Sequence, residues 1–513
     1  MLTGDMLRRS AARFPDKDAI ICGGQRISYR DLDARANRLA HALIALGLGK
    51  GAKVAMLSRN ILEYAIVFFG VARSGLVLTN VSVLYAPDEL AFVLDKADAQ
   101  VLIFDAAFAE RVAAVRHMVP KLTHLVRIGG DDGGNVAGFA DMIAAMPDGL
   151  PGIVIDEDDP FCMTYTGGTT GRPKGVLCSH RARAVTAHTV MVEEAIDERD
   201  VVGILTPLFH VAALNIMFQP AILAGATCVF LTKWVPADFV ALVDQTKMSA
   251  CFMVPTQAAM LLNDPAFDAA RLASWRKLSF AGAPMPDWVQ QELMSRLPQL
   301  KLTQIYGQSE MGVIAVLRHW YLPAKLGCVG RQPYNVDMRV VRPDGSDVAV
   351  GEIGEVVSRG ANLMLEYYNE PEQTKAFFKL GDGWGWSGDL ATVDEDGFVT
   401  LVDRSKDMII SGGENIYPKE IEVVLYELPE VAECAVFGIP DPQWGEVPAA
   451  YLQLKPGSTL DEAAVTAHCT EKLARFKRPR MIRFVTDFPK TPIGKIQKNI
   501  LKQDFWQDRD KKI

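Results

Sequence analysis

The stretch Thr164-Tyr165-Thr166-Gly167-Gly168-Thr169-Thr170-Gly171-Arg172-Pro173-Lys174-Gly175-Val176 concentrates the residue types that hold phosphate. Its four glycines let a backbone curl closely round a ligand, so that successive N–H groups form an anion-binding concavity. Four threonine hydroxyls, Arg172 and Lys174 add donors, and the guest that fits such a set is a polyphosphate. A P-loop would need Gly-x-x-x-x-Gly-Lys-Ser/Thr. Here Gly171 is followed by Arg172-Pro173 and Lys174 by Gly175, so that template fails. A flexible surface loop, the plain alternative, has no need of so many donors.

Other residues could complete a nucleotide site. Glu310, in Tyr306-Gly307-Gln308-Ser309-Glu310, offers a hard oxygen ligand for Mg²⁺ bridging phosphates, or is simply a solvated carboxylate. Asp389, in Ser387-Gly388-Asp389, is suited to accepting two ribose hydroxyls, and Arg404 supplies a fixed fork for ribose or phosphate oxygens. Read singly, each is equally a surface turn or a salt bridge. Ala281-Gly282-Ala283-Pro284 is small enough for a flat ring to approach the backbone. His210, after Pro207-Leu208-Phe209, would by itself more often be structural. Trp444 fits either packing or stacking, and Arg475-Phe476-Lys477-Arg478-Pro479-Arg480 is a cationic run in an acidic protein.

Taken in order, these motifs resemble the acyl-adenylate-forming superfamily, which includes acyl-CoA synthetases, peptide-synthetase adenylation domains and luciferases. The resemblance runs from about residue 15 to 505 and is strongest to aryl- or fatty-acid–CoA ligases. It implies ATP or AMP contacts at Thr166, Gly167, Gly168, Thr169, Thr170, Gly171, Lys174, Gly282, Ala283, Tyr306, Gly307, Ser309, Asp389 and Arg404. The family usually has threonine where this chain has Ser309; the hydroxyl survives and the methyl does not. The resemblance makes Lys495 the catalytic lysine, Glu310 the Mg²⁺ ligand and His210 the gate of a carboxylate pocket lined by Val211, Ala212, Phe280, Gly307 and Met311. Coenzyme A would meet Gly412, Gly413, Trp444 and Arg478, and Lys406 matches the hinge between the family's two domains. The family swings its small domain to present the lysine in one half-reaction and the glycine face in the other.

The elements needed to position these residues are legible from apolar patterning. Strand-like runs alternate with helix-like ones from Ser28 to Phe104, and again from Val201 to Tyr306, which predicts two parallel sheets covered on both faces. Ligands of such sheets bind at the carboxyl ends of the strands. From about Gly330 the pattern becomes a small antiparallel subdomain, with turns at Pro343-Asp344-Gly345 and Asp396-Gly397. A new α+β pattern begins at Lys406. The expected fold is therefore α/β: residues 1–405 as a large domain of two parallel α/β subdomains plus a small antiparallel β subdomain, and 406–513 as a small, mobile α+β domain.

Bulk properties agree with an enzyme of this size. The 513 residues are 49% hydrophobic and 23% charged, enough for a large core. A net charge of -8 argues against nucleic acid or an anionic membrane as partner. The most apolar region, Ala65 to Leu84, is broken by Arg73-Ser74-Gly75 and is expected to be helix, turn and strand, not a membrane span. Met1 to Asp18 has no apolar core of the signal-peptide kind, and the eight cysteines are scattered with no Cys-x-x-Cys; both lead us to expect a cytoplasmic enzyme with reduced thiols. The expected substrate is a small carboxylate, with ATP, Mg²⁺ and coenzyme A, and the resemblance is compatible with a homodimer. Two other functions stay open: an adenylation enzyme that loads a carrier protein, and a non-catalytic nucleotide sensor. The first would usually want an aspartate between Phe209 and Ala213, and none is there; the second needs neither Lys495 nor Glu310.

Overall fold

The computed structural model describes residues 1–130, 136–166, 173–283, 285–412, 414–490 and 496–506. The elements that bear on the site are, in chain order, β1 (Pro160–Thr166), β2 (Lys174–Ser179), α1 (His180–Glu193), β3 (Lys277–Phe280), β4 (Lys301–Gln308), β5 (Gly312–Leu317), β6 (Glu366–Tyr367), β7 (Gly385–Val393), β8 (Val399–Arg404), α2 (Pro418–Tyr426) and α3 (Lys498–Trp506). The chain forms two compact units. One holds the described residues up to Met338 with Ser358–Gly385; the other holds Arg339–Val357 and those from Trp386 onward.

The first unit contains two eight-stranded sheets. In one, β6, β2 and β1 lead into Val77–Asn80, Lys53–Leu57, Ala99–Asp105, His124–Ile128 and Ala137–Gly138. In the other, β5, β4 and β3 lead into Ala250–Met253, Val201–Ile204, Thr227–Phe230, Asp18–Cys22 and Gln25–Ser28. The inner strands are parallel, as the alternation predicts. The edges reverse direction: β1 pairs antiparallel with β2, β4 with β5, and Asp18–Cys22 with Gln25–Ser28. That last hairpin sits in the second sheet, with Ile20 opposite Cys228, although it lies first in the chain.

The helix Leu62–Ala72 shows why the core needs both sheets. Every residue in it except Glu63 is buried, as an all-round apolar helix requires. Phe68 meets Phe161 of β1 at 5.2 Å and Phe218 at 5.7 Å, both edge-to-face. No helix among the described residues is long and apolar enough to cross a membrane. All eight cysteines are free.

Ser179 caps α1 by accepting from the Ala182 N–H at 3.1 Å. At the other end of the helix, burial pushes the Glu194 carboxyl up to about 7, against the pull of Lys277. The unfolded chain releases this proton near 4.5. The group's stabilisation is therefore complete below that value and is lost as pH rises through about 7, some 3 kcal/mol in all. Glutamine mimics the protonated acid, so Glu194→Gln is expected to flatten the pH dependence of urea melts across this window. An unchanged slope would show that Glu194 titrates normally.

The second unit holds most of a four-stranded antiparallel sheet, Asp337–Val341, Gly354–Arg359, β7 and β8. It also holds a five-stranded sheet whose long hairpin is Val431–Asp441 with Gly445–Leu454. Residues Ile421 and Leu425 of α2 pack on this sheet beside Val465 and Cys469. In a separate cluster, Leu501 and Phe505 of α3 pack with Phe437. Lys498 of α3 pairs with Glu422 at 2.7 Å and Lys502 with Asp407 at 3.2 Å.

Candidate active site

The phosphate stretch is bracketed by the antiparallel pair β1 and β2. Thr166 and Lys174 are directly opposed at its base. A P-loop runs from a strand into a helix, whereas here β2 intervenes and α1 starts at His180. Gly167, Gly168, Thr169, Thr170, Gly171 and Arg172 lie outside the described residues. The Lys174 ammonium stands 5.2 Å from the centre of the Tyr367 ring, within the range of a cation–π contact.

The second feature is the tight turn from β4 to β5, which carries Ser309 and Glu310. The ladder shifts register between Tyr306 and Gly307. A Cβ on Gly307 would lie 2.0 Å from the Gly312 carbonyl oxygen, so only glycine lets the two strands approach. The Glu310 backbone carbonyl accepts from the Met364 N–H at 2.7 Å, and its Oε1 accepts from the Tyr367 hydroxyl at 2.8 Å. Asn362 donates to the Met311 carbonyl. Ser309 and Glu310 are partly exposed and Tyr306 is buried. One carboxylate on a partly exposed turn suits Mg²⁺, which binds through few protein oxygens plus water and substrate phosphates. No group of three or more acidic, histidine or cysteine side chains forms a protein cage among the described residues.

Gly282 and Ala283 are exposed just after β3; Pro284 lies outside the described residues. Of the expected acid pocket, His210, Val211 and Ala212 are partly exposed, while Phe280 and Met311 have no exposed surface. Phe280 belongs to the core cluster with Met253, Leu278 and Met285. His210 Nδ1 accepts from the Ala212 N–H at 3.2 Å. The following segment, Ala213–Phe218, is a π-helix, a form common at functional sites. Arg318 follows β5, roughly 20 Å along the strand from the Gly312 end, where it pairs with Glu193 at 2.6 Å.

In the second unit, β7 and β8 place Asp389 opposite Arg404, and the guanidinium Nε donates to Asp389 Oδ1 at 3.1 Å. Gly388, next to Asp389 in β7, donates to Glu355 at 2.9 Å. Lys406 is exposed. Gly412 has φ +60 and donates to the Trp444 carbonyl at 2.8 Å, and a Cβ there would lie 2.7 Å from the indole. Trp444 thus lies against the glycine and is 43% exposed, leaving part of the indole accessible for stacking. Arg478 donates to the carbonyls of Leu473 and Thr470, both at 3.0 Å, closing the end of the helix Glu462–Lys472. Gly413 and Lys495 lie outside the described residues.

Two residues absent from the sequence reading stand out. Asn60 donates to the Thr206 carbonyl at 2.9 Å and accepts from the Leu208 N–H at 2.8 Å, stapling the turn that leads to His210. Tyr367 is the other. Its only local signal is the Tyr367-Tyr368-Asn369-Glu370-Pro371 turn, which carries no chemistry by itself.

Comparison with known proteins shows the family. The AMP-binding enzyme family model matches residues 7–368, and the AMP-binding enzyme C-terminal domain matches 420–495. A feruloyl-CoA synthase of Amycolatopsis sp is 37% identical over 500 residues, covering 97% of this chain and 98% of that protein. A long-chain-fatty-acid–CoA ligase of Mycobacterium tuberculosis is 32% identical over 506 residues, covering 98% of each. The crystal structure of an anthranilate CoA ligase with anthranoyl-AMP superposes with a TM-score of 0.89 at 29% identity, covering 98% of this chain and 97% of that one.

Proposed function

The chain belongs to the AMP-binding enzyme family, and from that premise we propose that it is an ATP-dependent, AMP-forming carboxylate–CoA ligase. The observation that carries this reading is that Lys174 and Glu310, far apart in sequence, stand at the face and the hydroxyl of one tyrosine. A cation and a hard carboxylate are thereby offered to a single polyphosphate.

The substrate carboxylate attacks the α-phosphorus of ATP; the bond to the β-phosphate bridging oxygen breaks, giving acyl-AMP and pyrophosphate. The coenzyme A thiol, losing its proton, then attacks the acyl carbon and AMP leaves. The protein's contribution is positioning and charge stabilisation. In this reading the Thr166–Lys174 stretch holds the phosphates, Gly282 and Ala283 border the adenine, and Asp389 and Arg404 bind the ribose. Glu310 would hold Mg²⁺, which when bound neutralises phosphate charge. His210 gates the acid pocket. Lys495 serves the first half-reaction, Gly412, Gly413 and Trp444 serve the second, and the backbone turns at Lys406 between them. The accessible part of the Trp444 indole supports a nucleotide-bearing thiol as acceptor.

The acid in this reading is a medium-chain or aromatic monocarboxylate. Val211, Ala212, Ala213, Leu214 and Val313 are apolar, and Arg318 is held by Glu193. A second carboxylate would be desolvated without a partner, at a cost of several kcal/mol. The feruloyl and anthranoyl relatives favour the aromatic half of the range. The test is a panel of benzoate, cinnamate, octanoate and succinate with Mg²⁺, ATP and coenzyme A. AMP and pyrophosphate are expected. ADP and phosphate would refute the reaction class, and a highest kcat/KM for succinate would refute the acid.

A further inference from the structure

We propose that Tyr367 is a positioning residue that keeps Lys174 and Glu310 apart and aims both at the phosphate–metal ligand; this rests on the roles given to those two residues above. The tyrosine lies on β6, a two-residue strand that pairs with β2 and sets Glu366 opposite Leu177 and Tyr367 opposite Val176. The flanking backbone is tied to the same strand, Leu365 N–H to the Leu177 carbonyl and Tyr368 N–H to the Gly175 carbonyl, both at 2.8 Å. The Tyr367 N–H donates to Thr374 at 2.9 Å, and Phe377 packs edge-on at 6.2 Å. The ring therefore has little freedom. It spans from the first sheet to the turn of the second.

Its chemistry is divided between face and hydroxyl. The face holds the Lys174 ammonium at 5.2 Å, and the hydroxyl donates to Glu310 Oε1 at 2.8 Å. An ammonium and a carboxylate gathered on one ring are free to pair with each other once the ring no longer holds them, and each would then be less available to the ligand. Among the described residues neither Lys174 nor Glu310 has an ion-pair partner. With Oε1 occupied by the phenol, Oε2 remains for a hard cation, and the ammonium remains for a phosphate.

The variants Tyr367→Phe and Tyr367→Leu separate the two contacts. Phenylalanine keeps the ring under Lys174 and removes the hydrogen bond; leucine removes both. ATP binding is measured by calorimetry while free Mg²⁺ is varied, with melting temperature recorded for each variant. For Tyr367→Phe the Mg²⁺ concentration giving half-maximal ATP binding is expected to rise about tenfold, in keeping with a lost hydrogen bond to a charged group, with the melting temperature nearly unchanged. Tyr367→Leu should in addition weaken ATP binding at saturating Mg²⁺. A Tyr367→Phe protein that binds like the wild type, or whose loss is the same at every Mg²⁺ concentration, overturns the proposal. Because binding needs no turnover, a wild-type chain that formed no AMP would count against the proposed function and leave this test of Tyr367 intact.

Discussion

Replacing Lys495 by alanine is expected to slow acyl-adenylate formation on the order of 10²–10³-fold, the cost of losing one preorganised donor at a centre of developing charge. The attack of one anion on another gathers negative charge round the α-phosphate, and the ammonium of Lys495, the lysine that the family resemblance makes catalytic, is suited to meet it. The second half-reaction expels AMP after attack at carbon and gathers its charge elsewhere. Thioester formation from supplied acyl-AMP should therefore be much less affected. Carboxylate-dependent pyrophosphate exchange reports the first step, and acyl-AMP consumption with coenzyme A reports the second. Equal losses in both would mean that Lys495 is structural.

Gly307→Ala is expected to be nearly as damaging, for a reason visible in the backbone. The added Cβ would stand 2.0 Å from Gly312 O, 3.0 Å from Gly312 C and 3.1 Å from Val313 Cα. All three are main-chain atoms that cannot swing aside. The β4–β5 turn must open, and Glu310 and Ser309 move with it. A shift of about 1 Å at a reacting centre costs about 10²-fold, and overpacking adds roughly 1–3 kcal/mol of instability. Adenylation should fall at least that far while melting stays cooperative. Gly412 differs in kind: a Cβ there meets the Trp444 indole, a side chain that can move, and its φ of +60 rather than a main-chain clash is what favours glycine. Near-normal adenylation by the Gly307 variant would show that the turn yields more easily than its geometry indicates.

The two α/β sheets and most candidate residues are legible in the sequence because their signals are local. Apolar runs mark strands, and Thr166 to Lys174 or Ser309-Glu310 carry chemistry within a few positions. What is not legible depends on distant partners. The Asp18–Cys22 strand finds Thr227–Phe230, and β6 finds β2, without any local pattern that names them. Asn60 and Tyr367 are ordinary polar residues until folding brings the His210 turn and Glu310 to them. Arg478 shows the converse. Its charge reads as a phosphate ligand, and the fold shows a second task the sequence does not signal, Nε and Nη2 closing a helix end through the Leu473 and Thr470 carbonyls.

The ion pairs of α3 have a mechanical consequence. Lys502 is tied to Asp407, the neighbour of Lys406, and Lys498, three residues beyond Lys495, is tied to Glu422 of α2. Phe505 adds a grip on Phe437. The helix that follows Lys495 in the chain is thus tied to α2, to the residue next to Lys406 and to the long hairpin of the sheet. If the backbone turns at residues 405 and 406, as proposed above, these ties would make the helix move with the segment that turns, as one stiff body rather than a trailing end.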